Sequence, residues 1–459
     1  MTNPIIIPEL RELIAENDVK SIRKFCQSTH PGTVAELLDG LEIAEIWKIL
    51  HMLDVSLRAE IFPCFDLNKQ IELVSGESRK DMARLLEEMP PDDRVDLVQK
   101  LDETLRDEIL PLVAKAERED IRKLEAYEDG TAGAVMSTDY AVLRPDISIS
   151  KALEQLRLQA PGKETIYYIY VIDKARTLIG FISLKDLIMA KPDRLIKDIM
   201  HTDVLKANVN DDQENVARMI EKYDLIAIPI VNDNEAIVGI VTHDDALDII
   251  RQEQTEDIEK LMAIAGSHEI GDYLDTPSWK HFSKRAYWIV GLAALGLVSG
   301  VIIHSFEATL MNMLVLALYM PMVADTGGNT GSQSATVVVR ALALGQLRPR
   351  DFFKVIFKEL KVSLLLAFVL GLLSFGKVIF LSRNSEIPDG YSLPGIATAI
   401  ALALALQVVT ATLIGAILPL LAAKFKQDPA VVASPALTTV VDITGLLIYF
   451  TTVKIILGI

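Results

Sequence analysis

The sequence predicts a multidomain membrane protein in five parts. An all-α, acidic N-terminal domain of helical hairpins covers residues 1–129, and a pair of α+β repeats covers 130–195 and 196–250. A connecting helix follows over 251–280, then an α-helical transmembrane domain of five spans over 281–459. Three observations predict this: a partition of charge, a duplicated pattern between 131 and 250, and a succession of long apolar blocks after 287.

The 459-residue chain carries a net charge of −17, which averages two unlike halves. From Thr276 onward there are 14 Lys and Arg against 8 Asp and Glu, whereas the preceding residues hold 32 against 55. So acidic a soluble half argues against nucleic acid as a partner and suits cations. The two cysteines, Cys26 and Cys64, have no metal-ligand spacing and fit a reducing cytoplasm. The start, MTNPIIIPEL, lacks the basic region of a signal peptide, so the first span is expected to direct insertion.

Residues 5–128 are helical by pattern, with short stops, and phrases such as LDVSLRAEIFPCF and LDETLRDEILPLV predict stacked helical hairpins. MPPDDRVDL has the Pro and Asp of a helix start. Asp92 and Asp96 stand at i and i+4 there and share a face. Their repulsion makes a bound cation attractive; a solvated acidic face is the commoner alternative for such a pair.

Between 131 and 250, AVMSTDYAVLRPDISISKAL and IYVIDKARTLIGFISLKDLI are echoed by DIMHTDVLKANVNDDQENVA and IPIVNDNEAIVGIVTHDDAL. Met136 matches Met200 and Gly180 matches Gly239, so the first copy carries a five-residue insertion around LQAPGKET. Each copy reads strand, helix, strand, turn, strand, helix. The pair resembles tandem CBS domains. That resemblance implies an adenine-nucleotide site at Ser183 and Asp186 in one copy and Thr242 and Asp245 in the other; helix capping explains the same positions equally well. Beyond the repeat, residues 244–270 read as one long acidic helix carrying Asp245, Asp248, Glu253, Glu256 and Asp257.

The apolar blocks fall at 287–306, 309–343, 355–381, 393–423 and 430–458, each longer than the ~20 residues that cross a bilayer core. Lys280, Lys284 and Arg285, then Arg348 through Lys361, then Lys424 and Lys426 place the basic junctions on one side, the cytoplasmic one. The N-terminus is then cytoplasmic and the C-terminus outside, in a multi-pass protein of the inner membrane. Pro321, Gly327, Gly328 and Gly331 in the second block predict a bend or a close backbone approach. Asp325 and Asn329 in that block read as pore-lining groups, or as caps of a broken helix, or as interhelical hydrogen bonders. In the last block, PALTTVVDITGLLIYF, Pro435 lies two turns before Asp442 with Thr438 and Thr439 between, an arrangement that can aim oxygens at a cation. A carboxylate at that depth costs ~2.5–3.5 kcal/mol or more. With no Lys or Arg a turn away, a permeating cation is its expected partner.

In their order these parts resemble the MgtE family of magnesium channels, on PMVADTGGNTGSQSATVVVRALALG and DPAVVASPALTTVVDITGLLIY. The resemblance implies Mg²⁺ uptake by a homodimer in the lipid membrane, with Asp442 and the Thr438 carbonyl at the pore ion site. It implies cytosolic Mg²⁺ ligands at Glu60, Asp92, Asp96, Asp212, Glu214, Asp224, Asp245, Asp248, Glu253, Glu256 and Asp257, every one acidic here. High internal Mg²⁺ would close the pore, and ATP could modulate it. Transport of Co²⁺ or Mn²⁺ is the alternative, though softer metals favour His or Cys and the spans hold only His304. No nucleophile with a base, paired carboxylates or His cluster occurs among the spans, so no enzymatic activity is expected.

Overall fold

The computed structural model describes residues 6–262, 264, 276–385, 387–432 and 435–458. The chain divides into two compact units, one running through Glu253 and the other taking the remainder of the connecting helix and the C-terminal helices.

Ten short α-helices, α1 to α10, open the first unit, from Ile6–Ala15 to Lys115–Leu124; α5 is Val55–Ile61 and α8 is Pro91–Lys100. Their starts follow from capping chemistry, since Asp18, Asp54, Ser78 and Asp102 each accept a backbone N–H with the side chain. The recurring arginines fix the turns between hairpins. Arg58 donates to the Leu53 carbonyl and Arg94 to that of Met89, each reaching five residues back, and Gln70 does the same to Phe65. Inside, Ile22, Leu38, Ile46, Trp47, Phe62 and Met82 are fully or nearly fully buried, at ~1.5–3 kcal/mol for each large side chain. The same core continues into the second α+β repeat through Val216, Ile220, Ile230 and Ile249.

The first repeat is β1 (Tyr140–Leu143), α11 (Ile149–Gln159), β2 (Thr165–Ile172), β3 (Leu178–Ser183) and α12 (Leu184–Met189). The second is β4 (Ala207–Asn208), α13 (Gln213–Tyr223), β5 (Ala227–Val231), β6 (Ile237–Thr242) and α14 (His243–Leu261). In each, the first strand pairs in parallel with the second, which pairs antiparallel with the third. The two copies clasp each other reciprocally. Ser137 at the entrance of the first bridges Ile240 in the second, and His201 at the entrance of the second bridges Phe181 in the first. This explains the matched Gly and Met. A Cβ on Gly239 would stand 2.6 Å from the Met136 sulfur, and one on Gly180 would stand 3.2 Å from that of Met200 and 2.7 Å from the His201 carbonyl. Only glycine admits the opposing strand.

α14 runs from the second repeat into the connecting segment without a break and ends at Leu261, where the Ile264 N–H turns back to the Glu259 carbonyl. The acidic helix is thus shorter than the sequence reading of 244–270, and residues 265–270 lie outside the described ones.

In the second unit the long helices are α15 (Ser278–Ser305), α17 (Leu314–Ala343), α18 (Phe352–Leu381), α19 (Leu393–Lys424) and α21 (Pro435–Leu457), with the short α16 (Glu307–Asn312) and α20 (Pro429–Val432). α15, α18, α19 and α21 are long and apolar enough to cross a membrane. α17 has the length, 30 residues, but its run ADTGGNTGSQSAT makes it the polar member of the set. α17 is also unbroken: it passes through Pro321 and all three glycines as one helix. The predicted bend, and with it a capping role for Asp325 and Asn329, is replaced by close approach. A Cβ on Gly331 would stand 3.1 Å from the Ala411 carbonyl, and one on Gly415 would run into the carbonyl of Gly331. α19 is the centre of the unit, burying Ile396, Ile400, Ala403, Leu404, Val408 and Ala411 against its neighbours. Toward one end, Phe306 stacks on Phe450 and the Tyr449 hydroxyl donates to the Leu316 carbonyl.

Candidate functional sites

Carboxylates converge where α8 meets the second repeat. Pro91 starts α8 with Asp92 and Asp93 in its first turn, facing Asp245 near the start of α14. Burial raises the Asp92 carboxyl well above its ordinary value, and Asp245 raises it further; its Oδ1 is enclosed with no hydrogen-bond partner. Burial and the same Asp245 push Asp93 up to about 7. Glu164 is pushed up to about 7 by burial, with Asp245 and Asp244 adding. Asp96 sits at the exposed edge of α8, yet the protein packed around its carboxylate pushes it up to about 6, Lys100 pulling back and Asp245 adding. Asp245 is itself raised by burial, although the Thr242 hydroxyl donates to it. Five acids thus repel one another at a domain junction, an arrangement that a cation relieves. Among the described residues no three His, Cys, Asp or Glu side chains form a ready-made ligand set.

The other predicted sensor residues are more dispersed. Asp212 caps α13, accepting from the Glu214 and Asn215 N–H groups, while Glu214 pairs with Arg218. Gln213 donates to Glu253 at 2.6 Å, which brings Glu253 beside that helix start. Asp248 pairs with Arg251 at 3.2 Å. Asp224 ends α13 in the left-handed conformation with φ 51°, and Glu60 is exposed on α5.

In the second unit the end of α14 rests on the membrane helices. Leu261 packs with Ala335, Val339, Ala411, Leu437 and Val441. Lys260 Nζ donates to Glu256 at 2.8 Å and to Asp428, in the turn before α20, at 3.0 Å. Burial opposes the lysine's charge, but the two carboxylates raise its pKa above the ordinary lysine value. The connecting helix is therefore tied by charge to the segment that leads into α21. Asp257 shares this last stretch, one residue beyond Glu256.

Asp442 is half-buried on α21, and the carboxylate of Asp325 on α17 is close enough to repel it. Among the described residues no lysine or arginine pairs with either. Asp325 and Asn329, one turn apart, lie on an exposed face of α17. The helices meet through Gly328, whose Cβ would touch the Thr438 methyl at 3.8 Å. Pro435 opens α21, and its side chain lies outside the described residues.

Of the nucleotide-motif residues, Ser183 caps α12. Ser183 accepts from the Asp186 N–H at 3.0 Å and its hydroxyl donates to that carboxylate at 2.6 Å, which also meets His201 at 3.2 Å. In the second copy the Thr242 N–H and hydroxyl both donate to the Asp245 carboxylate.

Sequence reasoning missed Asp93, Glu164, Lys260, Asp428 and Gln407. Lys260 and Glu256 were legible as an i,i+4 pair. Asp428, an acid in the turn between two apolar blocks, was equally visible. Asp93 and Glu164 are brought to Asp245 only by tertiary packing.

A membrane domain with acids on two of its helices, preceded in the chain by an acidic helical domain and a tandem α+β repeat, is the make-up of a membrane cation transporter. Residues 320–452 match the family model MgtE, described as a divalent cation transporter; residues 29–130 match the MgtE intracellular N domain, and 132–193 and 196–252 match CBS domains. The magnesium transporter MgtE of Thermus thermophilus is 35% identical over 98% of this chain and 98% of its own, and that of Bacillus subtilis is 32% identical over 98% and 97%. The soluble part of a magnesium transporter superposes with TM-score 0.52 at 32% identity, covering 54% of this chain and 97% of its own. The cytosolic domain of the Mg²⁺ channel MgtE in complex with ATP gives TM-score 0.50 at 33% identity, over 52% and 98%. The chain belongs to the MgtE family, and it is a multi-pass membrane protein.

Proposed function

We propose that the protein conducts Mg²⁺ into the cell and is closed by the Mg²⁺ it admits. The observation that carries this reading is Asp442, a half-buried carboxylate on a membrane helix that faces a second carboxylate, Asp325, and no described base. Two acids in a low dielectric attract a divalent ion more than a monovalent one. Mg²⁺ parts with its water shell reluctantly, so carboxylates and the Thr438 carbonyl would hold it hydrated and select by the size of the whole complex. Asn329 lines the same path, and Pro435 opens the helix that carries Asp442. His304, the soft-metal candidate, is engaged by Glu307 at 2.9 Å, and the apolar blocks hold no other His or Cys, which favours Mg²⁺ over Co²⁺.

Gating follows from the two acidic regions. With little Mg²⁺ inside, Asp92, Asp93, Asp96, Glu164 and Asp245 repel; bound Mg²⁺ neutralises them and stabilises the closed arrangement, which shifts the population toward it. Glu60, Asp212, Glu214, Asp224, Asp248, Glu253, Glu256 and Asp257 complete the cytosolic ligand set across a homodimer with the pore on its twofold axis. Lys260, between Glu256 and Asp428, links the connecting helix to the segment that precedes the helix bearing Asp442. The N-terminus lies in the cytoplasm and the C-terminus outside. A relative's cytosolic domain was solved with ATP, and ATP is the modulator we assign to Ser183, Asp186, Thr242 and Asp245.

The test is growth rescue in a strain whose own Mg²⁺ uptake has been removed. The wild-type chain should restore growth at low Mg²⁺, and Asp442→Ala should not. Rescue by Co²⁺ tolerance alone, or equal rescue by both proteins, would end the assignment.

A further inference from the structure

The amide of Gln407 is wholly buried at the centre of α19, in a stretch otherwise made of Ala, Leu, Val and Thr. Its Nε2 donates to the Val441 carbonyl of α21 at 2.8 Å. That carbonyl belongs to the peptide bond that leads into Asp442, and it also accepts the Thr444 hydroxyl at 3.1 Å. The Thr444 hydroxyl is shared with the Val440 carbonyl at 3.0 Å, so the wholly buried Gln407 amide is the donor that holds this peptide plane and the residue that follows it.

Space for this contact is made by glycines on both other helices. A Cβ on Gly327 of α17 would stand 2.5 Å from Gln407 Nε2, and one on Gly445 of α21 would stand 2.7 Å from the same atom. Gly327 is two residues from Asp325, and Gly445 is three from Asp442. The amide is therefore the wedge against which the two acid-bearing helices are set. An apolar core has no need of such a group, and its Oε1 finds no hydrogen-bond partner among the described residues, a cost that packing alone would not repay.

We infer that Gln407 is a positioning residue of the ion pathway: by holding the Val441 carbonyl between Gly327 and Gly445, it fixes where the Asp442 carboxylate stands relative to Asp325. The inference rests on Asp442 being part of that pathway. Acting through the Asp442 backbone, Gln407 sets the width presented to a hydrated ion and thereby the preference for Mg²⁺ over the larger, loosely coordinated Ca²⁺.

The test uses the full-length protein in proteoliposomes, with initial Mg²⁺ and Ca²⁺ influx measured for wild type, Gln407→Met, Gln407→Glu and Asp442→Asn. Gln407→Met keeps the volume and removes the donor. Losing one such hydrogen bond should lower the Mg²⁺/Ca²⁺ influx ratio roughly threefold to tenfold and raise the KM for Mg²⁺ in proportion. Gln407→Glu, protonated in an apolar slot, restores an O–H donor and should return both quantities toward wild type. Should Gln407→Met fail to reconstitute, Gly445→Ala, whose methyl displaces the amide, should show the same fall in ratio. A wild-type ratio and KM in Gln407→Met or in Gly445→Ala overturns the inference, as does equal impairment of the Met and Glu variants, which would assign the effect to packing. Asp442→Asn keeps the two readings apart. If it transports normally, the pathway itself is misassigned; if it is silent while Gln407→Met is unaltered, only the positioning role falls.

Discussion

Neutralising Asp93 should stabilise the junction between α8 and the second repeat, and the effect should depend on pH and on Mg²⁺. Asp93 is pushed from an ordinary 3.8 up to about 7 by burial and by Asp245. A unit of displacement is worth ~1.4 kcal/mol, so ionising this carboxyl holds ~4 kcal/mol against the closed junction. An acid raised in the folded state is neutral there at low pH, and its penalty grows as pH climbs from the unfolded value through the folded one. The junction should therefore be firmest near pH 4, loosen between pH 4 and 7, and carry the full penalty at pH 8. Glu164, also raised to about 7, acts in the same sense and over the same range. Amide hydrogen exchange on the full-length protein measures this locally. At pH 8 without Mg²⁺, Asp93→Asn should slow exchange in α8 and the first turns of α14 by up to ~10³-fold, which is ~4 kcal/mol. At pH 5, or at pH 8 with saturating Mg²⁺, the variant and wild type should converge. Exchange unaffected by the substitution at pH 8, or by Mg²⁺ in the wild type, would refute the claim that repulsion among these carboxylates opens the junction.

Three further outcomes are expected. Lys260→Gln removes the cation between Glu256 and Asp428; with both carboxylates partly in solvent the loss is ~1 kcal/mol, and patch recordings should show about fivefold more internal Mg²⁺ needed for closure. Gly239→Ala places a methyl 2.6 Å from the Met136 sulfur and 2.9 Å from the Ser137 carbonyl, which should cost ~1–3 kcal/mol and lower the melting temperature, with Met136→Ala in the same chain recovering part of it. Gly415→Ala drives a methyl into the Gly331 carbonyl and should prevent assembly of α17 on α19, read as loss of a monodisperse peak in detergent.

The duplicated part of the fold is legible because each copy repeats both its hydrophobic alternation and the Gly and Met pair through which it clasps the other. The apolar blocks are legible because bilayer thickness sets their length. What the sequence hides is the purpose of small residues. Gly327, Gly328 and Gly331 read equally as a bend after Pro321 or as a close backbone approach, and only the packing decides: the helix continues through them and they serve the approach of α19 and α21. A single Gln in ALALALQVVTAT reads as a tolerated polar residue; only the neighbouring Val441 carbonyl gives it a task. Asp92 and Asp96 are visible as a pair on one helix, with Asp93 between them, whereas Glu164 and Asp245 join them from distant parts of the chain. Pairwise spacing within one helix cannot show a cluster that tertiary packing assembles.

The most direct measurement is Mg²⁺ influx into proteoliposomes at fixed external Mg²⁺ while internal Mg²⁺ is raised, for wild type, Asp442→Ala, and Asp92→Asn with Asp96→Asn. Wild-type influx should fall steeply with internal Mg²⁺, Asp442→Ala should give none at any concentration, and the double variant should conduct at the wild-type rate with its inhibition shifted to higher Mg²⁺. Normal influx through Asp442→Ala, or inhibition unchanged in the double variant, would contradict a pore at Asp442 governed by the acidic junction.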